Sequence, residues 1–275
     1  MSQLPFIESP QNPRIKALAK LRKAKARRET GTMLVEGRRE IRRALESGWR
    51  FEELYLAPEP LLPASAASEL ERLAAGVDLP VFRCSEAAFR KIAYRDAPDG
   101  AIARSPLAGV PLDALELSKN PLVVIVENPE KPGNLGAILR TADAAGADAV
   151  VVCGDAGTDL NHPNVVRAAM GTLFFLPVAE ASTAQVLDWL RRRDLRILPA
   201  FPDAPTNYDA VDLRSGVAFV LGAEAEGLSN AWRRPPALPV SIPMNGRNDS
   251  LNVSTAAAVL LYEALRQRKT LPSAS

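Results

Sequence analysis

The chain contains very little cysteine and histidine. Its 275 residues include two cysteines, Cys84 and Cys153, and one histidine, His162. The cysteines are far apart in the sequence and form no Cys-x-x-Cys pair, so we expect two reduced, buried thiols and no disulfide. Since no cluster of cysteine and histidine is present, the sequence predicts no metal site.

Long apolar runs are absent as well. No run reaches the roughly 20 residues of a membrane-spanning helix. Residues 1–14, MSQLPFIESPQNPR, lack the charged start and apolar core of a signal peptide. We therefore expect a cytoplasmic protein with no membrane partner. Apolar residues nonetheless make up 47% of the chain, which is enough for sizeable cores, and the length suffices for two domains.

Acidic residues are scarce at the start of the chain. Residues 1–50 contain 13 Lys or Arg and 5 Asp or Glu, although the net charge of the whole chain is only +2. A helix predicted over residues 14–28 carries cations and no acid. It can neutralise several phosphates without reading sequence, although such a helix is often only a solvated face. The residues predicted to bind a polyanion here are Arg14, Lys16, Lys20, Arg22, Lys23 and, in the next helix, Arg38.

Helices and strands alternate over the first hundred residues, which predicts a small α/β domain in residues 1–105. Pro106, Gly109 and Pro111 mark residues 106–118 as a linker to a second domain, residues 119–275. After the helix over 14–28, helices are predicted over 38–47, 65–75 and 86–93, and strands over 33–35, 51–57, 79–83 and 101–103.

The stretch over residues 121–146, PLVVIVENPEKPGNLGAILRTADAAG, organises the second domain. Residues 122–126 form a β-branched run without polar alternation, which is typical of a strand buried on both faces of a parallel sheet. A glycine-bearing loop follows, and residues 137–145 have helical spacing. Such a unit presents backbone N–H groups to a ligand at the carboxyl end of a strand. The alternative is an ordinary strand–helix unit with Arg140 on its solvated surface.

Strands and helices continue to alternate to the end of the chain, which predicts an α/β fold with a parallel C-terminal sheet. The loop after residue 126 carries neither a GxGxxG pattern nor a P-loop. Strands are predicted over 149–152, 174–178, 196–201 and 217–221, an extended segment over 240–244, and helices over 164–170, 183–193 and 250–268.

Three segments of the second domain occur together in a distinctive order. They are Asn134-x-Gly136-x-x-x-Arg140, then residues 221–228 (LGAEAEGL), then Ile242-Pro243-Met244 followed by residues 250–254 (SLNVS). They resemble the three motifs of the SpoU family of SPOUT methyltransferases, and residues 14–103 resemble the ribosomal-protein-like RNA-binding domain often fused to them. The family often has a smaller or hydroxylated residue where this chain has Ala223 and Ala225.

The resemblance implies transfer of a methyl group from S-adenosylmethionine to a ribose 2′-hydroxyl of ribosomal or transfer RNA. It also implies a C-terminal trefoil knot and a homodimer that uses the last helix and the opening strand–helix unit. The separate basic domain favours ribosomal over transfer RNA. Two other classes stay open: a non-catalytic RNA-binding protein that keeps the fold, and a dinucleotide oxidoreductase, which the missing GxGxxG disfavours.

The resemblance makes Arg140 the catalytic residue. Free arginine has a pKa above about 12 and is a poor base, so Arg140 either accepts a proton after desolvation or clamps an RNA phosphate, which suits its bidentate guanidinium better. Glu224 is either a rival base or a loop-holding acceptor. Asn134 orients the ribose or Arg140. Arg167 contacts an RNA phosphate or forms a surface salt bridge.

The last motif has a local interpretation as well. Ser250 and Asn252 stand at the start of the final helix and are catalytic by resemblance, yet they are equally simple as helix N-caps. The cofactor is expected among backbone groups of the motif loops, with Ile242, Met244 and Leu251 beside its adenine. The full set of cofactor residues implied is Leu221, Gly222, Ala223, Gly227, Ile242, Met244, Ser250, Leu251 and Asn252.

Overall fold

The computed structural model describes residues 4–193 and 195–269. The first elements are β1 (Phe6–Ile7), α1 (Pro13–Lys20), α2 (Ala24–Thr30), β2 (Thr32–Glu36), α3 (Arg38–Glu46), β3 (Glu53–Leu56), α4 (Ala64–Ala75), β4 (Val81–Cys84), α5 (Glu86–Ile92) and β5 (Ala101–Pro106). There follow β6 (Leu122–Glu127), α6 (Pro132–Ala144), β7 (Ala149–Cys153), α7 (Pro163–Ala169), β8 (Val178–Ala181), α8 (Thr183–Arg192), β9 (Arg196–Pro199), β10 (Thr206–Asn207), β11 (Val217–Leu221), β12 (Val240–Ser241) and α9 (Val253–Lys269).

The described residues divide into two compact units. The first unit runs to Ala108 and includes Asn161–Phe175, whereas the second comprises Gly109–Leu160 and the described chain from Leu176 onward. Nothing in the sequence pattern predicts that residues 161–175 belong with the N-terminal part. The boundaries at residues 105 and 119 stay a prediction.

The first unit is built on a mixed sheet in the order β1-β4-β3-β5-β2. Strands β1, β4 and β3 are parallel, and β5 is antiparallel to both β3 and β2. All five residues of β2 are buried. Helix α7 packs against β2, so a segment distant in sequence completes this unit. The predicted α/β fold of the N-terminal part is confirmed.

The basic helix predicted over residues 14–28 is wrong as a single element. The chain turns after Leu21, and Lys23 is extended before α2 begins. The reason is Arg27, whose guanidinium is buried and donates to the carbonyls of Leu21, at 2.8 Å, and Arg22, at 3.0 Å. One of the cations counted toward a polyanion surface therefore stabilises this turn from inside.

The second unit has a parallel sheet in the order β8-β7-β6-β11-β9. Strands β6, β7 and β11 are buried along their whole length, as apolar runs without alternation predict. Strand β11 lies directly beside β6, with Leu221 opposite Val126. The loops that follow these two strands therefore emerge side by side.

Two predicted elements of the second half are wrong in position. Helix α6 begins at Pro132, not at residue 137, because proline at the first helical position is already set for the helix; Asn134 and Gly136 are thus helical. The strand predicted over 174–178 is a 3₁₀ turn, Thr172–Phe174, and the strand begins only at Val178. Phe174 and Leu176 are buried without belonging to a strand, and Phe175 is 43% exposed.

Candidate active site

The three motif segments meet at the carboxyl edge of the parallel sheet. The loop after β6 leads into α6, which carries Asn134 and Arg140. The loop after the neighbouring β11 carries Glu224. Asn252 directly precedes α9, and α9 packs against α6. Segments that are up to 118 residues apart in sequence therefore come within hydrogen-bonding distance.

Glu224 joins the first two segments through three hydrogen bonds. The backbone N–H of Glu130 donates to Oε2 at 2.9 Å, and that of Lys131 donates to Oε1 at 3.2 Å. The side-chain Nδ2 of Asn134 also donates to Oε1, at 2.5 Å. Because these donors lie at the start of α6, the carboxylate caps this helix from another loop and lies where the helix dipole favours negative charge.

These donors also set the acidity of Glu224. Partial burial on its own raises the pKa of the carboxyl, but the hydrogen bonds from Asn134, Glu130 and Lys131 outweigh it and hold the pKa below the ordinary value. A carboxylate with a lowered pKa binds a proton weakly at neutral pH. The environment of Glu224 thus favours a permanent acceptor over a general base.

Asn134 connects the third segment to the other two. Its Oδ1 accepts a hydrogen bond from Nδ2 of Asn252 at 3.2 Å, and its own Nδ2 donates one to Glu224. Asn252 in turn accepts the backbone N–H of Ser254 at 2.9 Å and its hydroxyl at 2.7 Å. Asn252 therefore caps α9, as the local interpretation predicts, and also donates a hydrogen bond to Asn134 across the site. Ser250 is exposed and forms no hydrogen bond with the residues described.

The loop after β11 is closed on itself. Ala223 and Gly227 exchange both backbone hydrogen bonds, at 3.2 and 3.1 Å. A Cβ atom on Gly222 would lie 2.2 Å from the carbonyl carbon of Gly227, so only glycine allows this closure. Gly227 has φ of +69°, which glycine adopts without strain. With Leu221 as the last residue of β11, these residues fix the backbone of the loop.

The side chains expected beside the cofactor fit a neutral, flat group. Ile242 and Met244 are half-buried after β12, and Leu251 is 37% exposed. Gly222 and Ala223 are small, and the carboxylate of the adjacent Glu224 accepts hydrogen bonds from the start of α6. Apolar side chains with free backbone groups suit the adenosyl part of S-adenosylmethionine, the cofactor that the resemblance implies.

Arg140 projects from the exposed side of α6. It forms no hydrogen bond or ion pair with any residue that the structure describes, so its guanidinium is free for a ligand. Gly136 and Ala137 lie one turn before it on the same face, and Gly133 two turns before. Helical side chains lean toward the N-terminus. The small residues there leave space beside the guanidinium, and a Cβ on Gly133 would meet no atom within 4 Å.

Sequence reasoning missed two acidic residues at this edge. Glu127, at the end of β6, is 2% exposed and accepts from the Thr183 hydroxyl at 2.8 Å and from the backbone N–H of Ser229 at 2.8 Å. Glu130 accepts the N–H of Ala225 at 3.2 Å. Both carboxylates fix the loop after β11 against β6. The signal was a charged residue ending an otherwise apolar strand.

The predicted RNA-binding residues divide into two groups. Arg14 pairs with Glu53 and stacks 4.4 Å from the centre of the Phe82 ring, and Arg22 donates to the Lys91 carbonyl at 3.2 Å. Both guanidinium groups are thus engaged within the first unit. Four of the others are exposed: Lys16, Lys20 and Lys23 on α1 and the turn after it, and Arg167 at a cavity of the first unit. Arg38 lines the same cavity but is half-buried and pairs with Asp99.

Among residues 4–193 and 195–269, no three His, Cys, Asp or Glu side chains lie close enough to hold a metal ion. Over the same residues, no helix is both long and apolar enough to cross a membrane.

Comparison with known proteins gives matches over both units. The model of the SpoU rRNA Methylase family matches residues 121–262, and that of the MRM3-like substrate binding domain matches residues 12–103. The chain is 34% identical over 253 residues to a 23S rRNA (uridine(2479)-2′-O)-methyltransferase of Streptomyces viridochromogenes, covering 88% of this chain and 85% of that protein.

Two further relatives extend over nearly the whole length. The 23S rRNA (guanosine(2553)-2′-O)-methyltransferase RlmP of Bacillus subtilis is 30% identical over 256 residues, covering 93% of this chain and 97% of that protein. The AdoMet-bound rRNA methyltransferase structure from Sinorhizobium meliloti superposes with a TM-score of 0.87 at 28% identity, covering 98% of this chain and 100% of that one.

Proposed function

The chain belongs to the SpoU rRNA methylase family, and we propose that it transfers the methyl group of S-adenosylmethionine to a ribose 2′-hydroxyl of ribosomal RNA. The observation that carries the proposal is the hydrogen-bonded series Asn252–Asn134–Glu224, which unites the three motif segments at one edge of the parallel sheet. Ligands of open α/β sheets bind at this edge.

Ribosomal RNA is the substrate class that the relatives support. The two full-length curated relatives methylate 23S rRNA by their names, and the first unit carries a match to a substrate-binding domain. An intact, interconnected set of motif side chains argues against a non-catalytic RNA-binding protein. The dinucleotide oxidoreductase has no support from the matched families.

S-adenosylmethionine, when bound, supplies an electrophilic methyl carbon for an in-line displacement. The closed loop after β11, the segment from Ile242 to Met244 and Leu251 would hold its adenosyl part, chiefly through backbone groups and apolar contact. The protein must also hold the ribose hydroxyl in line with the methyl group and exclude other orientations. Such positioning can raise the rate by several powers of ten.

We propose that Arg140 clamps an RNA phosphate beside the reacting ribose. Its guanidinium is exposed, has no partner among the described residues and faces small residues on α6. A guanidinium keeps its proton near neutral pH and binds a phosphate in bidentate fashion. With Arg140 as the clamp, the hydroxyl proton leaves to solvent or to the RNA itself.

For Glu224 we propose a loop-holding role. Its three donors and its lowered pKa make it a poor proton acceptor and a good cap for α6. Asn134 then acts as a positioning residue between Glu224 and Asn252, with one amide hydrogen left for the ribose.

We propose further that the chain is a cytoplasmic homodimer and that its second unit contains the trefoil knot of the family. The dimer is supported by α9, which buries Ala257, Leu260, Leu261 and Ala264 within the chain yet leaves Tyr262 50% exposed. The modification of ribosomal RNA by relatives supports the location.

The test is methyl transfer from labelled S-adenosylmethionine to unmodified 23S ribosomal RNA transcribed in vitro. We expect label in the RNA and, after alkaline hydrolysis, an alkali-resistant dinucleotide, because a 2′-O-methyl group blocks cleavage at that ribose. Label in a base, or RNA that stays unlabelled on both free RNA and ribosomal subunits, would contradict the proposal.

A further inference from the structure

The first unit contains an open cavity of about 530 Å³ rich in arginine. Its walls come from α3, α4, the segment around Arg95 and Asp99, and α7. Five of its lining residues are arginines: Arg38, Arg39, Arg42, Arg95 and Arg167. Three acids, Glu40, Glu69 and Asp99, line it too. Cations therefore exceed anions by two.

Local ion pairs account for three of the five arginines. Arg38 lies 3.9 Å and Arg95 3.8 Å from Asp99 Oδ2, and Arg42 lies 3.7 Å from Glu69 Oε1. These pairs cancel most of the cavity's acidic charge. Two arginines of the cavity are left over from these ion pairs.

Arg39 and Arg167 are these two arginines. Both are exposed, and neither forms an ion pair with any residue in the described part of the chain. The nearest polar contact of Arg39 is Met170 Sδ, 4.0 Å from its Nη1. Two exposed guanidinium groups outside any ion pair at one cavity favour an anion that both can bind.

Two buried polar atoms of residues that line the cavity lack a hydrogen-bond partner among the described residues. They are Nε of Arg38 and Oδ1 of Asp99. The 3.9 Å between Arg38 Nε and Asp99 Oδ2 is too long for a hydrogen bond. Buried polar groups are nearly always satisfied in folded proteins, so Arg38 Nε can serve an additional acceptor at this cavity and Asp99 Oδ1 an additional donor.

The position of Arg167 is fixed by the local fold. The Arg43 guanidinium donates to the Met170 carbonyl at 2.7 Å, at the C-terminal end of α7. Gly171 has φ of +93°, and a Cβ there would lie 3.1 Å from Arg43 Cβ. Helix α7 thus meets α3 in close contact. As a result, Arg167, which lies between β7 and β8 in the sequence, shares a cavity with Arg39 of α3.

We propose that this cavity binds the phosphate backbone of the RNA substrate, with Arg39 and Arg167 as the phosphate-contacting pair. That the polyanion is RNA rests on the proposed function. The preference of the cavity for an anion rests on its arginines alone. Planar guanidinium groups bind phosphate oxygens in bidentate pairs, and such contacts position an RNA without reading its sequence.

The test compares RNA affinity of the full chain with that of Arg39→Ala/Arg167→Ala. The control is Arg90→Ala on α5, an exposed arginine of the same unit outside the cavity. The probe is in vitro transcribed 23S ribosomal RNA, titrated by fluorescence anisotropy at several salt concentrations. We expect the double variant to bind about tenfold more weakly near 0.1 M salt. Its salt slope should fall by roughly 1.4, about 0.7 for each phosphate that is no longer neutralised.

A second variant, Arg39→Lys/Arg167→Lys, separates charge from folding. It keeps both charges, so we expect its salt slope to match the wild type while its affinity falls less than that of the alanine pair. Unchanged affinity and slope in the alanine pair, or an equal loss in Arg90→Ala, would overturn the proposal.

Two further readouts separate this inference from the enzymatic one. The affinity for S-adenosylmethionine should be unchanged in the double variant, whereas methyl transfer at RNA concentrations below saturation should slow in step with the lost RNA affinity. If the wild type transfers no methyl group but the RNA affinity still falls as expected, the cavity is supported and the proposed reaction is not. If the wild type fails to bind RNA, the cavity proposal is wrong.

Discussion

At the scale of single residues, Glu224 joins the loop after β11 to the start of α6. It receives hydrogen bonds from two backbone N–H groups and one amide, all from the other side of the sheet edge. The sequence predicted that Glu224 is either a base or a loop-holding acceptor. The three donors and the lowered pKa favour the acceptor that we propose, but these donors become visible only once β6 and β11 are neighbours.

Glu224→Gln is predicted to destabilise the loop after β11 while the rate of methyl transfer changes little. An amide offers one acceptor oxygen and turns its NH₂ toward a donor, so at least one hydrogen bond is lost. We expect the free energy of unfolding at pH 7 to fall by about 1–3 kcal/mol and cofactor affinity, measured by calorimetry, to fall about tenfold. The single-turnover rate at saturating cofactor and RNA should fall less than tenfold; a collapse of that rate would identify Glu224 as the base.

The acid dependence of the same variant gives an independent check. The folded pKa of Glu224 is below the ordinary value of 4.5, so its carboxylate stabilises the fold above that pH. This contribution disappears as the pH falls through the folded value. Urea unfolding of wild type and Glu224→Gln should therefore differ at pH 7 and converge below pH 4. A difference that stays constant with pH would show that ionisation of Glu224 is not involved.

At the scale of elements, the buried strand β11 was predictable at both ends, whereas the start of α6 was not. The run over residues 217–221 matches β11 at both ends, because a buried parallel strand leaves a continuous apolar signature. Helix α6 begins five residues before its predicted start, since Pro132 acts as a first helical residue and not as a loop residue. A helix is predicted from the spacing of its apolar residues, and the first turn of α6 contains few of them.

Arg268 connects the end of α9 to two other segments, and the hydrophobic periodicity of the sequence does not predict this contact. Its guanidinium donates to four carbonyls, those of Asn120, Pro121, Leu213 and Ser215, at 2.8–3.0 Å. These bonds tie the end of α9 to the chain just before β6 and β11. Burial lowers the pKa of Arg268 from its ordinary value, yet an arginine stays charged at neutral pH.

Arg268→Met is predicted to destabilise the second unit by about 2 kcal/mol, because the charged donors are removed while the aliphatic stem is kept. Urea unfolding measures the change. The matched control is Arg266→Met on the same helix, whose exposed pair with Glu263 should contribute much less to the stability. Equal effects of the two substitutions would show that the four carbonyl contacts contribute no more than a surface ion pair.

At the scale of the whole molecule, the chain does not divide where its composition changes. Residues 161–175 lie in the second half of the sequence but pack with the first unit, where α7 covers β2. No local signal marks this segment, since its partners are residues that precede it by more than a hundred positions. Removal of residues 1–105 would therefore expose the apolar face of α7, and the full chain is the proper object for RNA-binding experiments.

The homodimer is a prediction for the whole molecule. Light scattering at micromolar concentration should give twice the 29.6 kDa of one chain. Tyr262→Glu places a charge on the exposed face of α9 and should shift the mass toward the monomer, because a buried unpaired charge is costly. A monomer mass for the wild type would rule out the dimer, and a dimer that tolerates Tyr262→Glu would place the interface elsewhere.

The central claim is that the edge carrying Arg140 performs methyl transfer and that Arg140 acts on the RNA. The most direct measurement is the single-turnover rate of 2′-O-methyl formation, at saturating cofactor and RNA, in wild type, Arg140→Ala and Arg140→Lys. Arg140→Ala should bind S-adenosylmethionine as the wild type does and lose about 10² to 10³ in rate. Arg140→Lys should stay at least tenfold slower, because an ammonium lacks the bidentate fork. A wild-type rate in Arg140→Ala would contradict the assignment of the site, and a near-wild-type rate in Arg140→Lys would contradict the clamp.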